Sequence, residues 1–236
     1  KWIFINSPSN PTGQVYSKAE LINLAEIIKK HKNLYILSDD IYEYIRYQNN
    51  ERFYTIAELD EEIFSRTLTM NGVSKAYSMT GWRIGYCGGP IEIINAMRKL
   101  MGQSTSNPSS ISQWATVEAL NGSKDFLNLW IESFKERRDF IVNYLNQCNG
   151  ISCLNPEGAF YVYPSCEGLI GKEYKGKIIS NDKDFAMILL KEKLVSVVHG
   201  GAFGLSPFFR ISYATSMDNI KLACDRIGEL CDEATS

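Results

Sequence analysis

The sequence has little of what metal, nucleic-acid or membrane chemistry requires. Only two histidines accompany six cysteines, and no two cysteines form a C-x-x-C pair, so we expect no metal site. The 25 basic and 27 acidic residues nearly cancel, which gives no electrostatic case for a nucleic acid or an anionic membrane as partner. No apolar run approaches the length of a membrane span, since even residues 186–190 are followed at once by Lys191. These absences favour a globular protein that binds neither nucleic acid nor membrane.

The composition indicates a substantial core. With 236 residues, 44% of them hydrophobic and 22% charged, the chain is long enough for one large or two modest domains. The cysteines are scattered through apolar stretches, which predicts buried thiols and a cytoplasmic location. The chain opens directly in an apolar strand at residues 2–5, and we therefore expect it to be the C-terminal portion of a longer protein.

The N-terminal stretch predicts a βαβ unit of a parallel sheet. Residues 2–5 and 34–37 are short apolar runs typical of strands. Between them a Ser-x-x-Glu capping box opens a helix whose apolar periodicity extends to about Lys30. In parallel sheets ligands gather beyond the carboxyl ends of the strands, which is where Asn10 and Asp39 fall.

The remaining pattern divides the chain into regions. We predict that residues 1–125 belong to a large α/β domain with a mainly parallel sheet, that 126–150 form a connecting helix, and that 151–236 form a small α+β domain. A surface loop is expected at 49–60. Further strands are predicted at 67–70, 84–87, 152–154, 158–163, 195–198 and 208–213. Further helices are predicted at 90–102, 111–120, 126–145, 182–194 and 218–230.

One lysine and one arginine stand in a glycine-rich stretch, N-G-V-S-K-A-Y-S-M-T-G-W-R-I-G-Y-C-G-G-P, at residues 71–90. Apolar flanks predict a strand, a loop and a strand, with Lys75 and Arg83 at the loop. A lysine held between strands can serve as a nucleophile, and an arginine offers a fork for phosphate or carboxylate. Standing alone, Lys75 would be interpreted as a solvated turn residue. The pair instead suggests a cofactor with a carbonyl and a phosphate, and pyridoxal 5'-phosphate fits both demands.

Pyridoxal phosphate requires further groups, and the sequence offers a candidate for each. Asp39, at a strand end, would keep the ring nitrogen protonated, while Tyr42 and Asn10 would donate to the phenolic oxygen. Ser74 would join the arginine of the same stretch at the phosphate. Arg210 lies within an apolar strand, where a charge is costly unless it is paired, and would bind the carboxylate of an amino acid.

Plainer interpretations stay open for several of these residues. Aspartates are common at turns and tyrosines in cores, Ser74 and Asn10 suit turns, and Arg210 could pair with a structural carboxylate. His199, which precedes two glycines, is interpreted as a structural histidine. A serine hydrolase is disfavoured because G-V-S-K-A lacks the final glycine of the nucleophile elbow. The dinucleotide-binding fingerprint is also absent after the first strand.

Four motifs follow one another along the chain: S-P-S-N-P-T-G, S-D-D-I-Y-E, S-K-A-Y-S-M-T-G-W-R-I-G-Y and F-R-I-S-Y-A-T-S. In this order they resemble the class I/II aminotransferases of pyridoxal-phosphate fold type I, over nearly the whole chain. The stretch Q-S-T-S-N-P-S-S-I-S-Q-W-A resembles the bacterial aspartate (aspartate/prephenate) aminotransferase subgroup. The resemblance implies an aspartate aminotransferase-like α/β fold. It also implies transfer of an amino group between an L-amino acid, aspartate by family analogy, and a 2-oxo acid such as 2-oxoglutarate.

The resemblance also implies a role for each candidate residue. Lys75 is the Schiff-base and proton-shuttling residue, and Arg210 is the ligand of the substrate carboxylate, which Asn10 also approaches. The cofactor ligands are Asn10, Asp39, Tyr42, Ser74, Lys75 and Arg83. Many relatives carry a serine three residues before the lysine, where this chain has Gly72, so phosphate binding is expected to depend more on Ser74.

The resemblance implies a homodimer with active sites shared between subunits, and a much longer N-terminal part. We therefore expect weak or absent turnover from this chain alone. A pyridoxal-phosphate β-lyase, a decarboxylase or an aromatic/prephenate aminotransferase on the same fold is the alternative enzyme. A catalytically inactive binding protein is the alternative that is not an enzyme.

Overall fold

A computed structural model describes residues 1–47 and 52–234. The chain divides into two compact units: the first comprises Lys1–Ser9 and Gln14–Leu129, and the second comprises Asn10–Gly13 and the chain from Trp130 onward. This division falls inside the helix Asp125–Leu145, which we label α5 in chain order. It also assigns the short N-P-T-G turn to the second unit, an assignment that no sequence pattern predicted.

The first unit contains a four-stranded sheet whose strands follow one another in chain order. Its strands are β1 (Trp2–Asn6), β2 (Tyr35–Asp39), β3 (Thr67–Gly72) and β4 (Gly85–Gly88). The pairs β1–β2 and β2–β3 are parallel, and β3–β4 is antiparallel. The predicted mainly parallel sheet and its βαβ unit are therefore confirmed.

Helix α1 (Lys18–Lys29) connects the first two strands and begins at the predicted capping box. The Ser17 hydroxyl accepts from the Glu20 N–H at 3.2 Å, and the Glu20 carboxylate accepts from the Ser17 N–H at 2.8 Å. These two bonds satisfy backbone donors that a helix start otherwise leaves open. The buried face of α1 and the inner face of the sheet share one apolar core, formed by Ile5, Leu21, Ala25, Ile28, Ile36, Ile56 and Ile63.

The predicted surface loop at 49–60 is wrong in part. Residues 48–51 lie outside the described chain, but Ile56–Glu58 forms a short 3-10 helix, and the Ile56 side chain is buried against the sheet. The four-residue helix α2 (Glu61–Phe64) follows and buries Ile63 in the same core. Polar neighbours hid these two isoleucines in the sequence pattern. The remaining helices that begin in this unit are α3 (Ile91–Gly102), α4 (Ser110–Asn121) and α5 (Asp125–Leu145).

In its described residues, the second unit combines a three-stranded sheet, a hairpin, the larger part of α5 and two further α-helices. The sheet has the order β5 (Tyr161–Val162), β9 (Phe209–Ser212) and β8 (Val198–His199), and both of its pairs are antiparallel. The hairpin is β6 (Glu173–Tyr174) with β7 (Lys177–Ile178), and the helices are α6 (Asp182–Glu192) and α7 (Met217–Glu233).

Three strands predicted here are wrong in extent, and one of them, 195–198, is reduced to β8 (Val198–His199). The predicted strand 152–154 is reduced to a single bridge, because the Asn146 side chain binds both backbone groups of Cys153, at 2.8 Å and 2.9 Å. The predicted strand 158–163 shortens to β5, because Ala159 has a left-handed backbone with φ 55°. The alternation of apolar and polar residues that predicts a strand gives no information on side-chain bonds to the backbone or on a positive φ. Within the described residues, no helix combines the length and apolar character that crossing a bilayer requires.

Candidate active site

Lys75 lies in the turn that follows β3, in the first unit. The Lys75 carbonyl accepts from the Ser78 N–H at 3.1 Å, and the Val73 carbonyl accepts from the Met79 N–H at 3.4 Å. Val73 and Ala76 are buried on either side of the lysine in an apolar cluster that includes Ile84 and Leu127. The turn is therefore anchored by its neighbours, while the Lys75 side chain is only half-buried.

Asp39, Tyr42 and Lys75 come together at the carboxyl end of β2. Asp39 is the last residue of that strand and is in register with Met70 of β3. The Lys75 Nζ is 5.7 Å from the centroid of the buried Tyr42 ring. Burial raises the pKa of Asp39 above its usual value, while the Ile41 N–H, 3.3 Å from the carboxylate, and the Lys75 charge work in the opposite direction. A further cation beside Asp39 would therefore stabilise the charged form of this carboxyl group.

The neighbouring Asp40 has a different environment. Its side chain is buried, and its Oδ1 accepts from the Ser38 hydroxyl at 2.7 Å. Burial raises the pKa of Asp40 to about 6, although the Ser38 bond opposes the shift. Successive residues of a strand point to opposite faces, so two adjacent aspartates at one strand end meet different surroundings.

Asp40 makes stability depend on pH. A carboxyl whose pKa is higher in the folded state binds its proton more tightly there, so the unfolding free energy falls as pH rises from about 4 to 6, by at most about 3 kcal/mol. Asp40→Asn mimics the protonated form, and we expect its stability advantage over the natural chain to be near zero at pH 4 and largest at pH 7. Urea denaturation at both pH values measures this difference. The control Glu132→Gln alters an exposed carboxylate on α5, and equal pH dependence of the two variants would contradict the expectation.

Ser74 and Arg83 flank the same turn but differ in exposure. Ser74 is half-buried, whereas Arg83 is exposed, and its Nη1 donates to the Thr80 carbonyl at 3.0 Å. Arg83 has a left-handed backbone with φ 56°, a conformation that costs on the order of 1–3 kcal/mol for such a residue. A Cβ at Gly72 would lie 3.1 Å from the Ile84 carbonyl oxygen, so the close pairing of β3 with β4 favours glycine at this position.

Asn10 and Arg210 come together within the second unit. Arg210 lies on β9, and its Nη1 donates to the Asn10 Oδ1 at 2.7 Å. The guanidinium carbon is 4.7 Å from the Tyr161 ring centroid and 5.0 Å from the Phe203 ring centroid. The Arg210 Nε is buried and makes no hydrogen bond to any described residue. Two aromatic faces and an amide thus hold the guanidinium in one orientation, which suits the binding of an anionic ligand.

The N-P-T-G turn holds Asn10 in place through Gly13. The buried Gly13 carbonyl accepts from the Glu157 and Gly158 N–H groups, at 2.9 Å and 2.8 Å. Gly13 has φ 70°, a left-handed conformation that glycine adopts without strain. The turn motif is thereby fastened to the segment that precedes β5, which explains its assignment to the second unit.

Phe203 and Asp182 also contribute to this site, although neither residue was predicted from the sequence. Asp182, in the first turn of α6, is buried and accepts from the Gly201 N–H at 2.7 Å and from the Ser206 hydroxyl at 2.8 Å. Burial works to raise the pKa of Asp182, but these bonds outweigh it and the pKa lies below its usual value. The bonds fasten the loop that carries Phe203. The glycines around this phenylalanine were the available signal.

His199 lies beside the same aspartate. Its Nδ1 is 3.8 Å from the Asp182 Oδ2, and this nitrogen is buried without a hydrogen bond to any described residue. In the backbone, His199 pairs with Phe209 where β8 meets β9. These contacts fit the interpretation of His199 as a structural residue, which stays a prediction.

The chain is similar to known proteins over almost its whole length. The sequence profile of the family described as aminotransferase class I and II matches residues 1–227. The chain is 54% identical to a probable aspartate/prephenate aminotransferase of Rhizobium leguminosarum bv. phaseoli and 52% identical to an aspartate/prephenate aminotransferase of Cereibacter sphaeroides, each over 232 residues. Each alignment covers 98% of this chain and 58% of the relative. The crystal structure of an aspartate aminotransferase from Rhizobium meliloti matches with a TM-score of 0.95 and 53% identity, covering 99% of this chain and 58% of that one.

These findings confirm the fold and the resemblance expected from the motifs. A TM-score of 0.95 at 53% identity means that the aspartate aminotransferase-like α/β architecture is present throughout the matched part. The chain spans 58% of the length of these relatives. Since the family profile covers residues 1–227, the chain belongs to the class I and II aminotransferase family.

Proposed function

We propose that the protein is a pyridoxal-phosphate-dependent aminotransferase, with Lys75 as its catalytic residue. The observation that carries the proposal is the group at the end of β2, where the Lys75 ammonium is attracted to the half-buried Asp39 carboxylate and stands over the Tyr42 ring. A primary amine, a carboxylate and a phenol in one place match the requirements of a carbonyl-bearing cofactor with a basic ring nitrogen. Family membership supports the same reaction class.

The donor set of the first unit fits the cofactor. Burial makes the negative charge of Asp39 unfavourable, and a protonated ring nitrogen would supply the cation that this carboxylate needs. Ser74 and Arg83 offer a hydroxyl and a guanidinium for the phosphate. When bound, pyridoxal phosphate supplies an aldehyde that reacts with amines and a ring that withdraws electrons from the Cα of an amino acid. Tyr42 supplies a hydroxyl donor for the phenolic oxygen.

Each residue has a defined task in this proposal. The Lys75 amine would hold the cofactor when no substrate is present. With substrate bound, the amine would remove the proton from the substrate Cα as a general base and return it to C4′ of the cofactor as a general acid. Asp39 keeps a proton on the ring nitrogen through its negative charge. In the second unit, Arg210 binds the substrate carboxylate through its guanidinium, and Asn10, which accepts from the Arg210 Nη1, keeps the cofactor and substrate roles that the resemblance gives it.

The substrate, assembly and domain roles are part of the proposal. The substrate pair is an L-amino acid, aspartate in the first instance, and a 2-oxo acid such as 2-oxoglutarate; the relatives named for aspartate and prephenate support this choice. We propose a cytoplasmic homodimer in which residues 1–125 belong to the cofactor domain, 126–150 connect, and 151–236 form the small domain. Elimination from an amino acid by the same residues is the alternative reaction.

A product assay tests the proposed reaction. The full chain is loaded with pyridoxal phosphate and incubated with aspartate and 2-oxoglutarate, and the products of a single turnover are identified by mass spectrometry. We expect oxaloacetate and glutamate in equal amounts. Elimination needs a leaving group on Cβ, which aspartate lacks, so L-cysteine is tested in a parallel incubation. Pyruvate, ammonia and sulfide from cysteine and water, without amino-group transfer from aspartate, would favour the β-lyase. A steady-state rate near that of the longer relatives would contradict the expectation of weak turnover from this chain.

A further inference from the structure

Two cysteines of the second unit, one just after α5 and one near the end of α7, lie near one another without a disulfide. Cys148 follows the end of α5, where its N–H donates to the Leu145 carbonyl at 3.1 Å, and it is half-buried. Cys231 lies near the end of α7 and is buried. Both thiols are reduced. Neither residue has a part in the proposed transamination.

The end of α5 and the middle of α7 are in direct contact. The Tyr144 hydroxyl donates to the Asp225 Oδ1 at 2.9 Å. A Cβ at Gly228 would lie 3.3 Å from the Tyr144 hydroxyl and 3.8 Å from the Cys148 Sγ, so the thiol stands over this glycine. Cys231 is three residues further along α7, and residues three apart share a helix face. The two thiols accordingly face one another.

The contact between the thiols differentiates them chemically. The Cys231 thiol donates a hydrogen bond to the Cys148 sulfur, and this bond lowers the pKa of Cys148 against the opposing effect of burial. The same bond, together with burial, raises the pKa of Cys231. The half-exposed Cys148 is therefore the thiol whose pKa is lowered, and its Sγ donates to the Tyr144 carbonyl at 3.6 Å. A half-exposed thiol of lowered pKa in contact with a buried thiol is the arrangement of an attacking cysteine and a resolving cysteine.

We propose that Cys148 and Cys231 form a reversible oxidation site, which a peroxide converts into an intramolecular disulfide between the end of α5 and α7. The Cys148 thiolate attacks one peroxide oxygen, so that a sulfur–oxygen bond forms, the oxygen–oxygen bond breaks and, with a proton, water leaves. The Cys231 sulfur then attacks the Cys148 sulfur, the sulfur–oxygen bond breaks and a second water leaves with the Cys231 proton. The two thiols together lose two electrons, and hydrogen peroxide gains them.

The pKa is raised, not lowered, at three other cysteines of this unit. Burial raises the pKa values of Cys153, Cys166 and Cys224 to about 12 each, which leaves almost no thiolate at neutral pH. Cys224 is four residues before Gly228 on α7. It therefore lies on the same helix face as Cys231, but one turn from Gly228 in the N-terminal direction. Cys224 therefore provides the matched control for the position of the partner thiol.

Oxidation would link the residue after α5 covalently to the C-terminal part of α7. The segment between the two cysteines contains β5, α6 and β9, and a cross-link that closes a long segment restricts the unfolded chain. The melting temperature of the oxidised chain should rise by at least about 5 °C relative to the reduced chain. Dithiothreitol should return the melting temperature to its starting value.

The experiment treats the reduced full chain with hydrogen peroxide and counts thiols after the reaction is stopped. We expect a loss of two of the six thiols, a Cys148–Cys231 peptide pair by mass spectrometry, and full reversal by dithiothreitol. Cys148→Ser at the half-exposed position, and Cys231→Ser in the core, should each prevent the pairing, whereas Cys224→Ser should leave it intact. Because the peptide map is made on the natural chain, a folding defect in the Cys231 variant does not affect the test. An unchanged thiol count, a cross-link between chains, or a link from Cys148 to Cys224 would overturn the proposal.

Discussion

Lys75→Ala is expected to abolish the borohydride-stable attachment of pyridoxal phosphate to this chain. An aldehyde and a primary amine form a carbon–nitrogen bond that borohydride reduces to a permanent link, and the proposal assigns that amine to Lys75. The Asp39 carboxylate, which would bind the protonated ring nitrogen, and the anchored turn should let this lysine be labelled at cofactor concentrations close to that of the protein. The measurement is the intact mass after reduction, followed by peptide mapping. We expect one phosphopyridoxyl group on the natural chain and none on the variant.

Lys99→Ala is the matched control, because Lys99 is an exposed lysine on α3. This variant should be labelled at Lys75 to the same extent as the natural chain. Equal labelling of the Lys75 variant, or a modified peptide that does not contain residue 75, would show that the turn after β3 is not the attachment point. The proposed assignment of the cofactor site would then have to be abandoned.

The proximity of Asp39 and Lys75 could be predicted from the sequence because both residues belong to one sheet. Once residues 2–5 and 34–37 are interpreted as parallel strands, their carboxyl ends must lie at the same edge, and Asp39 is placed by that rule alone. Lys75 follows the next strand of the sheet, so β2–β3 pairing brings the two residues together. Identifying this pair needed only the order of strands and turns.

The other features depended on contacts between distant parts of the chain. Ile56 is buried because it meets Ile36 and Ile63 in three dimensions, although its polar neighbours suggested a loop. The backbone of Cys153 is bound by Asn146, which removes it from any strand. Phe203 reaches Arg210 through a loop that the buried Asp182 fastens. Periodicity reports how a segment relates to itself, so it gives no information on such partners.

The contact between Asn10 and Arg210 also could not be predicted from sequence periodicity. The resemblance assigned both residues to substrate binding, but nothing in the spacing of the N-P-T-G motif showed how residues 200 positions apart would meet. The structure gives the physical reason, since the Gly13 carbonyl binds two backbone N–H groups just before β5. The glycine of the motif is therefore as important for the location of Asn10 as the asparagine is for its chemistry.

Gly13→Ala is accordingly expected to lower the unfolding free energy of the chain by at least about 2 kcal/mol, because a left-handed backbone and a steric clash act together. An added Cβ would collide with the Pro156 Cβ and lie 2.7 Å from the Gly158 carbonyl oxygen. Gly171→Ala is the matched control, since Gly171 has φ 88° but open space around it, and its cost should be only about 1 kcal/mol. Urea denaturation of both variants measures the difference. Because only the clash distinguishes the two sites, equal losses would mean that the turn moves away from Pro156 at little cost, and that Gly13 does not hold Asn10 in place.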